Sequence, residues 1–225
     1  MKQPAPEDGL TSLQAASGKG NCELVELLIN AGANANAPAC RINGRTALQA
    51  ASEAGHVDVI KILIQNHANV DELCCQAPNV VLAHGDCPGQ TSLHFAARNG
   101  HAGALLLLLE TVLAQNHAIS LDPIFLIAAA NGLPTAVEFL LNTGLDPNAT
   151  DDQRCTALHK ATEGGHTTTV MLLLERHADI KAQTQAKETS IFLAVKYGHE
   201  GIVKLLMDRY GTFEPQQHPG QASRR

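Results

Sequence analysis

The chain has 225 residues, of which 44% are hydrophobic and only 3% aromatic, and its 22 acidic and 16 basic residues give a formal net charge of −6. This acidic balance argues against a nucleic-acid-binding surface, which needs a basic stripe, and no apolar run reaches transmembrane length. The first residues, MKQPAPEDG, lack the apolar core of a secretory signal, and six scattered cysteines without a Cys-x-x-Cys pair suit a reducing compartment, so we expect an intracellular protein of the cytoplasm and/or nucleus.

A short phrase recurs along the chain at a nearly constant interval. Five copies read TSLQ at 11–14, TALQ at 46–49, TSLH at 91–94, TALH at 156–159 and TSIF at 189–192, and a divergent copy reads PIFL at 123–126. Successive copies are 35, 45, 32, 33 and 33 residues apart, and a period near 33 that fills a chain predicts a stacked array. Each copy has a glycine seven positions after its third residue: Gly20, Gly55, Gly100, Gly132, Gly165 and Gly198.

The segment 44–71 shows what one copy predicts. The hydroxyl of Thr46 can cap the start of a short helix, and Gly55 ends that helix where a positive φ costs little. Apolar residues then recur at helical spacing from Val57 to Ile64, and His67 lies where the backbone would turn left-handed after a second helix. Each unit is therefore helix, turn, helix and loop, and helices this short need their neighbours to be stable.

This pattern divides the chain into three parts. An N-terminal extension covers 1–8, six repeats starting near 9, 44, 89, 123, 154 and 187 fill 9–211, and a tail at 212–225, rich in Pro, Gln and Gly, is predicted to be disordered.

The repeats resemble the ankyrin repeat family over about 9–211. The matching residues are Thr-Ala-Leu-His-Lys-Ala at 156–161, Gly165-His166, the leucines at 172–174 and the closing segment at 32–37. The resemblance implies an all-α solenoid of stacked helix-turn-helix units, with hairpin or loop fingers along one edge. Two positions depart from the family pattern, because Arg154 and Lys187 stand where a glycine usually precedes the threonine by two residues. We therefore expect less regular hairpin tips there.

Two irregularities interrupt the array. The 45-residue interval places an insert at about 74–85, which we expect to enlarge one finger without breaking the stack. Gly100 to His117 spans 17 residues where Gly55 to His67 spans 12, so the second helix of copy three should be more than one turn longer. The next finger is then short, with a tight connection at 119–122, and Pro134 falls in the first turn of a helix.

Most of the eleven histidines follow the repeat register. Nine occupy three repeated positions and should lie in rows, too far apart to bind one ion. His84 shares the insert region with Cys74, Cys75 and Cys87, which could in principle supply zinc ligands, but the spacing matches no known finger and ordinary loop thiols are the favoured interpretation. We predict no metal, cofactor or catalytic residue and no enzyme.

The remaining candidate is a binding surface along the concave face of the array. The primary hypothesis is a non-catalytic adaptor or regulatory scaffold that binds another protein as a monomer, with no direct contact to nucleic acid or membrane; one form would be a transcriptional co-regulator acting through a DNA-binding partner. The alternatives are an accessory subunit or inhibitor that regulates an enzyme, and a metal-binding protein using 73–88. The predicted partner-binding residues precede each threonine or each helix-ending glycine: Lys19, Arg45, Glu53, Gln90, Arg98, Asn99, Asn131, Glu163, Glu188, Lys196 and Tyr197.

Overall fold

The computed structural model describes residues 10–39, 44–73, 90–115 and 119–213, except for the side chains of 210–213. These ranges contain twelve α-helices and no strand, and an isolated bridge joins Thr150 and Thr156. The helices form six pairs: α1 (Ser12–Gly18) with α2 (Cys22–Asn30), α3 (Ala47–Ala54) with α4 (Val57–Gln65), α5 (Ser92–Arg98) with α6 (Ala102–Ala114), α7 (Asp122–Ala130) with α8 (Pro134–Asn142), α9 (Ala157–Glu163) with α10 (Thr167–Glu175), and α11 (Ser190–Lys196) with α12 (Glu200–Phe213).

The six pairs stack in chain order. The first helices contact one another in the order α1, α3, α5, α7, α9, α11, and the second helices in the order α2, α4, α6, α8, α10, α12. The main contacts therefore join a repeat only to its neighbours, which confirms the predicted all-α solenoid.

Local chemistry sets both ends of the first helices. The predicted caps are confirmed where the hydroxyls of Thr46 and Thr156 accept the amide N–H three residues later, at 3.2 and 3.4 Å. The residue at that third position reciprocates: the side chain of Gln49 accepts from the N–H of Thr46, and that of His159 from the N–H of Thr156. All six predicted glycines have a positive φ, between 63° and 76°.

The core consists of rows of small and branched residues. Each first helix buries at least one alanine, which lets neighbouring first helices approach closely. Leu63, Leu108 and Leu173 fill equivalent places in the second helices. On α6 the buried stripe runs through Leu105, Leu108 and Leu109, whereas Leu106 is only half-buried.

The predicted irregularities of the centre are confirmed in the described residues. α6 has 13 residues where α4 and α10 have nine, α7 begins at Asp122, and Pro134 is the first residue of α8. The insert at 74–85, the neighbouring Cys87 and the extension at 1–8 lie outside the described residues. α12 continues to Phe213, past the boundary predicted at 212, and 214–225 also lie outside the described residues.

The hairpin tips at 150–156 and 183–189 are more regular than the sequence suggested. Arg154 and Lys187 adopt φ values of 58° and 60°, as a glycine would. Equivalent hydrogen bonds close both tips, from Arg154 N–H to the carbonyl of Asp151 and from Lys187 N–H to that of Thr184, each 2.9 Å. The expectation of irregular tips was wrong because these bonds hold a non-glycine residue in the left-handed conformation.

Candidate functional site

The predicted partner-binding residues differ in exposure. Arg45 and Gln90 are buried, with Arg45 only 9% exposed, and Glu188 is half-buried. The interpretation of Arg45 and Gln90 as positions that the core leaves free was therefore wrong. The other eight are exposed: Lys19, Glu53, Arg98, Asn99, Asn131, Glu163, Lys196 and Tyr197.

The structure brings many of these residues together in pairs. The residue before the threonine meets the side chain eight positions later, because the first helix turns that side chain back toward its own start. Arg45 Nε lies 3.2 Å from Glu53 Oε2, and Lys196 Nζ lies 3.0 Å from Glu188 Oε1. The guanidinium of Arg98 donates to the amide oxygen of Gln90 in the same way.

Arg45 also contacts the next repeat. Its guanidinium carbon lies 4.2 Å from the ring centroid of Phe95, which belongs to the next first helix. A planar, weakly hydrated guanidinium stacks well on an aromatic face, so burial here costs less than it would for a lysine. Arg45 therefore acts as part of the stack, and this contact has no local signal in the sequence because the two residues are 50 positions apart.

One part of the concave face lies between α9, α11 and the two tips at 150–156 and 183–189. An open groove of about 520 Å³ is lined there by the predicted residues Glu163, Glu188 and Tyr197, and we call it the C-terminal groove. The hydroxyl of Tyr197 donates to Glu163 Oε1 across the repeat boundary, at 2.9 Å. The tips themselves are joined, since the N–H of Gln185 donates to the carbonyl of Gln153 at 2.8 Å.

Sequence reasoning missed Lys160 and Cys155, which also line the C-terminal groove. Lys160 could have been found, because it is a charged residue at a first-helix position where the first two copies have alanine. Its Nζ lies 2.9 Å from Asp151 Oδ2. Burial alone would lower the pKa of Lys160, but the hydrogen bond and charge of Asp151 outweigh it and raise that pKa.

The same surroundings keep the Cys155 thiol neutral. Burial and, next, the negative charge of Asp151 raise the pKa of this thiol above its ordinary value. A thiol held in its protonated form is a weak nucleophile, so Cys155 contributes to the groove as a small, weakly polar surface.

Histidines fix the spacing between repeats. The Nε2–H of His101 donates to the carbonyl of Glu53 at 3.0 Å, and that of His199 to the carbonyl of Glu163 at 3.0 Å. Each ring lies against the glycine that ends the preceding first helix; a Cβ on Gly55 would come within 2.5 Å of the His101 ring. Because Glu53 and Glu163 belong to the candidate surface, these histidines hold the backbone that presents it.

A second groove, of about 500 Å³, lies at the N-terminal end of the same face. It is lined by Lys19, Arg45 and Glu53 together with apolar residues such as Leu10. Lys19 and Glu53 are exposed there, while Arg45 is held by Phe95 and Glu53.

No group of three or more His, Cys, Asp and Glu side chains in 10–39, 44–73, 90–115 and 119–213 is arranged to hold a metal ion. No helix within those ranges has both the length and the hydropathy to cross a membrane.

Comparison with known proteins identifies the repeat. Residues 12–119 and 125–217 match the family model described as Ankyrin repeats (3 copies). No curated protein shows significant similarity to the chain.

Proposed function

Because the chain belongs to the ankyrin repeat family, whose repeats generally mediate protein–protein interaction, we propose that it is a non-catalytic adaptor or regulatory scaffold that binds a protein partner in the C-terminal groove. A stack of helical pairs offers a long surface that can be varied without changing the fold. We place the partner-binding site in one part of the concave face, the C-terminal groove.

One observation carries the proposal: exposed polar side chains in and beside this groove already pair with one another in the free chain. Tyr197 is hydrogen-bonded to Glu163, and Lys196 is paired with Glu188. Ordering long side chains is a large part of the cost of association, and a surface that is already ordered avoids it. Tyrosine is also among the residue types that contribute most at interfaces.

The charge state of the groove supports binding rather than chemistry. Lys160 is held as a cation by Asp151, and the Cys155 thiol is held in its neutral form. Neither group is poised as a base or a nucleophile, because each would have to lose a proton that its surroundings retain.

The test is capture of partners from cell extract with the tagged full chain and with a groove variant, Glu163→Lys combined with Tyr197→Ala. Both residues are exposed, so the variant should keep its fold, although it loses the hydrogen bond between Tyr197 and Glu163. A matched control is Glu175→Lys, an equally large charge change on exposed α10. Partners lost by the groove variant and kept by the control support the proposal, and equal recovery by both variants would place the interface elsewhere.

The identity of the recovered protein separates the two forms of this function. A DNA-binding factor would make the chain a transcriptional co-regulator, whereas an enzyme would make it an accessory or inhibitory subunit. We also propose residence in the cytoplasm and/or nucleus, supported by the free thiols of Cys22 and Cys155.

A further inference from the structure

The last repeat exposes apolar side chains at positions that the preceding repeat buries. Phe192 is 52% exposed and Val195 is 62% exposed, while the equivalent residues of the fifth repeat, His159 and Thr162, are buried. Met207, on α12, is 61% exposed. These three residues form what we call the C-terminal end face.

The first repeat shows the complementary pattern. Leu27 is 62% exposed and Leu24 is also exposed. In the second repeat the equivalent of Leu24 is Val59, which is buried, and the equivalent of Leu27 is Ile62, which is half-buried. Leu24 and Leu27 form the N-terminal end face.

The two end faces correspond to the two sides of every internal repeat boundary. Within the stack, α10 packs on α12 and α9 on α11, so second helices meet second helices and first helices meet first helices. In a continued stack, Met207 on α12 would therefore lie against Leu24 and Leu27 on α2 of the next copy, and Phe192 and Val195 on α11 against its α1. We propose that the C-terminal end face binds the N-terminal end face of a second copy of this chain, so that copies associate head to tail. The contact would continue the packing that already joins the repeats, and it is heterologous, since the two surfaces differ.

Charge favours the same orientation. The described part of the first repeat carries Lys19 with Glu23 and Glu26, so it is slightly acidic. The described part of the last repeat carries one more basic than acidic residue: Lys187, Lys196, Lys204 and Arg209 against Glu188, Glu200 and Asp208. Unlike ends attract weakly and like ends repel, which favours head-to-tail pairing over pairing of two identical ends.

The contact should be weaker than an internal boundary. Gly20, Gly55, Gly132 and Gly165 are each covered by a histidine ring from the next repeat, whereas Gly198 has no atom near the place of a Cβ. The equivalent of that histidine in the first repeat is Asn21, whose side chain already accepts from the N–H of Leu24. Association should therefore be weak and should increase with protein concentration. This proposal differs from the monomer expected from the sequence.

The experiment is sedimentation equilibrium of the full chain over a wide concentration range, beside two end variants. One changes the C-terminal end face, Phe192→Lys with Val195→Lys, and the other changes the N-terminal end face, Leu24→Lys with Leu27→Lys. A control, Met171→Lys, changes an exposed apolar residue that belongs to neither face. Circular dichroism checks that each variant keeps its helices.

The parent chain and the control should exceed the monomer mass of 23.8 kDa as concentration rises. Each end variant should lose at least about tenfold in association constant, because each lost apolar contact accounts for about that factor. An equimolar mixture of the two end variants should recover dimers but nothing larger, since each supplies one intact face.

Three outcomes would overturn the proposal. They are a parent chain that stays monomeric throughout, association that survives both end variants, and a mixture that fails to form dimers. None of these changes touches Glu163 or Tyr197, so failure here is distinguishable from loss of partner binding in the C-terminal groove.

Discussion

The middle repeats (α5–α8) and the C-terminal repeats (α9–α12) have the same kind of core but make different polar contacts at the surface. Both bury alanines on the first helix and leucines on the second. The middle has an α6 of 13 residues, against nine in α10, and a short link into α7, whereas the C-terminal repeats carry two hydrogen-bonded tips and paired charges around a groove. The difference teaches that the same apolar rows continue the stack in both regions, while polar contacts determine what the stack presents to a partner.

The largest expected effect tests whether the two regions share one core. Leu108→Ala in the middle and Leu173→Ala in the C-terminal part should each cost about 2–5 kcal/mol, because both residues are fully buried. Leu106→Ala is the matched control on α6 and should cost about 1 kcal/mol, since Leu106 is half-buried. Urea unfolding measures all three, and a large loss for Leu106→Ala would contradict the packing of α6.

The second prediction measures how much stability depends on the contact between a helix-ending glycine and the histidine ring of the next repeat. Gly198→Ala should cost about 1–2 kcal/mol, because its φ of 76° disfavours a side chain while no atom obstructs a Cβ. Gly132→Ala has the same backbone cost, and its Cβ would also overlap the His166 ring, which should add about 1–3 kcal/mol. Equal losses in thermal unfolding would mean that the ring moves aside without cost.

A smaller effect concerns pH and the two capping histidines, His94 in the middle and His159 in the C-terminal part. Burial lowers the pKa of both, aided at His94 by the charge of Arg98. The unfolded chain therefore binds more protons than the folded chain just below about pH 6.5, and stability should fall as the pH drops through that value toward the folded pKa.

Glutamine replaces the capping histidine without a titrating group. His159→Gln should keep the cap, because Gln49 accepts from Thr46 N–H and donates to the carbonyl of Glu72 as His159 does for Thr156 and Ala182. The variant should lose less stability than the parent between pH 7 and pH 5 in chemical unfolding. An unchanged pH dependence would remove His159 from the explanation.

The smallest expected effect concerns the two hairpin tips of the C-terminal repeats, where Arg154 and Lys187 have a positive φ. Arg154→Gly and Lys187→Gly should each stabilise the C-terminal repeats by up to about 1 kcal/mol, because glycine relieves the left-handed conformation at some entropic cost. The midpoint of thermal unfolding should rise slightly. A fall would show that the side chain of Arg154 or Lys187 makes a stabilising contact.

Much of the fold was predictable because its signals are local. Thr46, Gly55 and His67 each act within one turn of the backbone, and the structure places all three as predicted. The candidate surface was predictable only as a set of repeated positions, those that precede each threonine or each helix-ending glycine. A residue's place within its repeat did not reveal that Arg45 would be buried against Phe95, or that Lys160 would line the groove beside Asp151.

The sequence by itself determined the period, the helix limits and the stacking of the repeats, since a cap, a left-handed glycine and an amphipathic stripe each depend on neighbouring residues. Only the tertiary structure decided which concave residues remain exposed and which hold one another. Glu163 meets Tyr197 across 34 positions, and His199 supports the backbone of Glu163, because adjacent layers approach closely enough for one repeat to complete the surface of another.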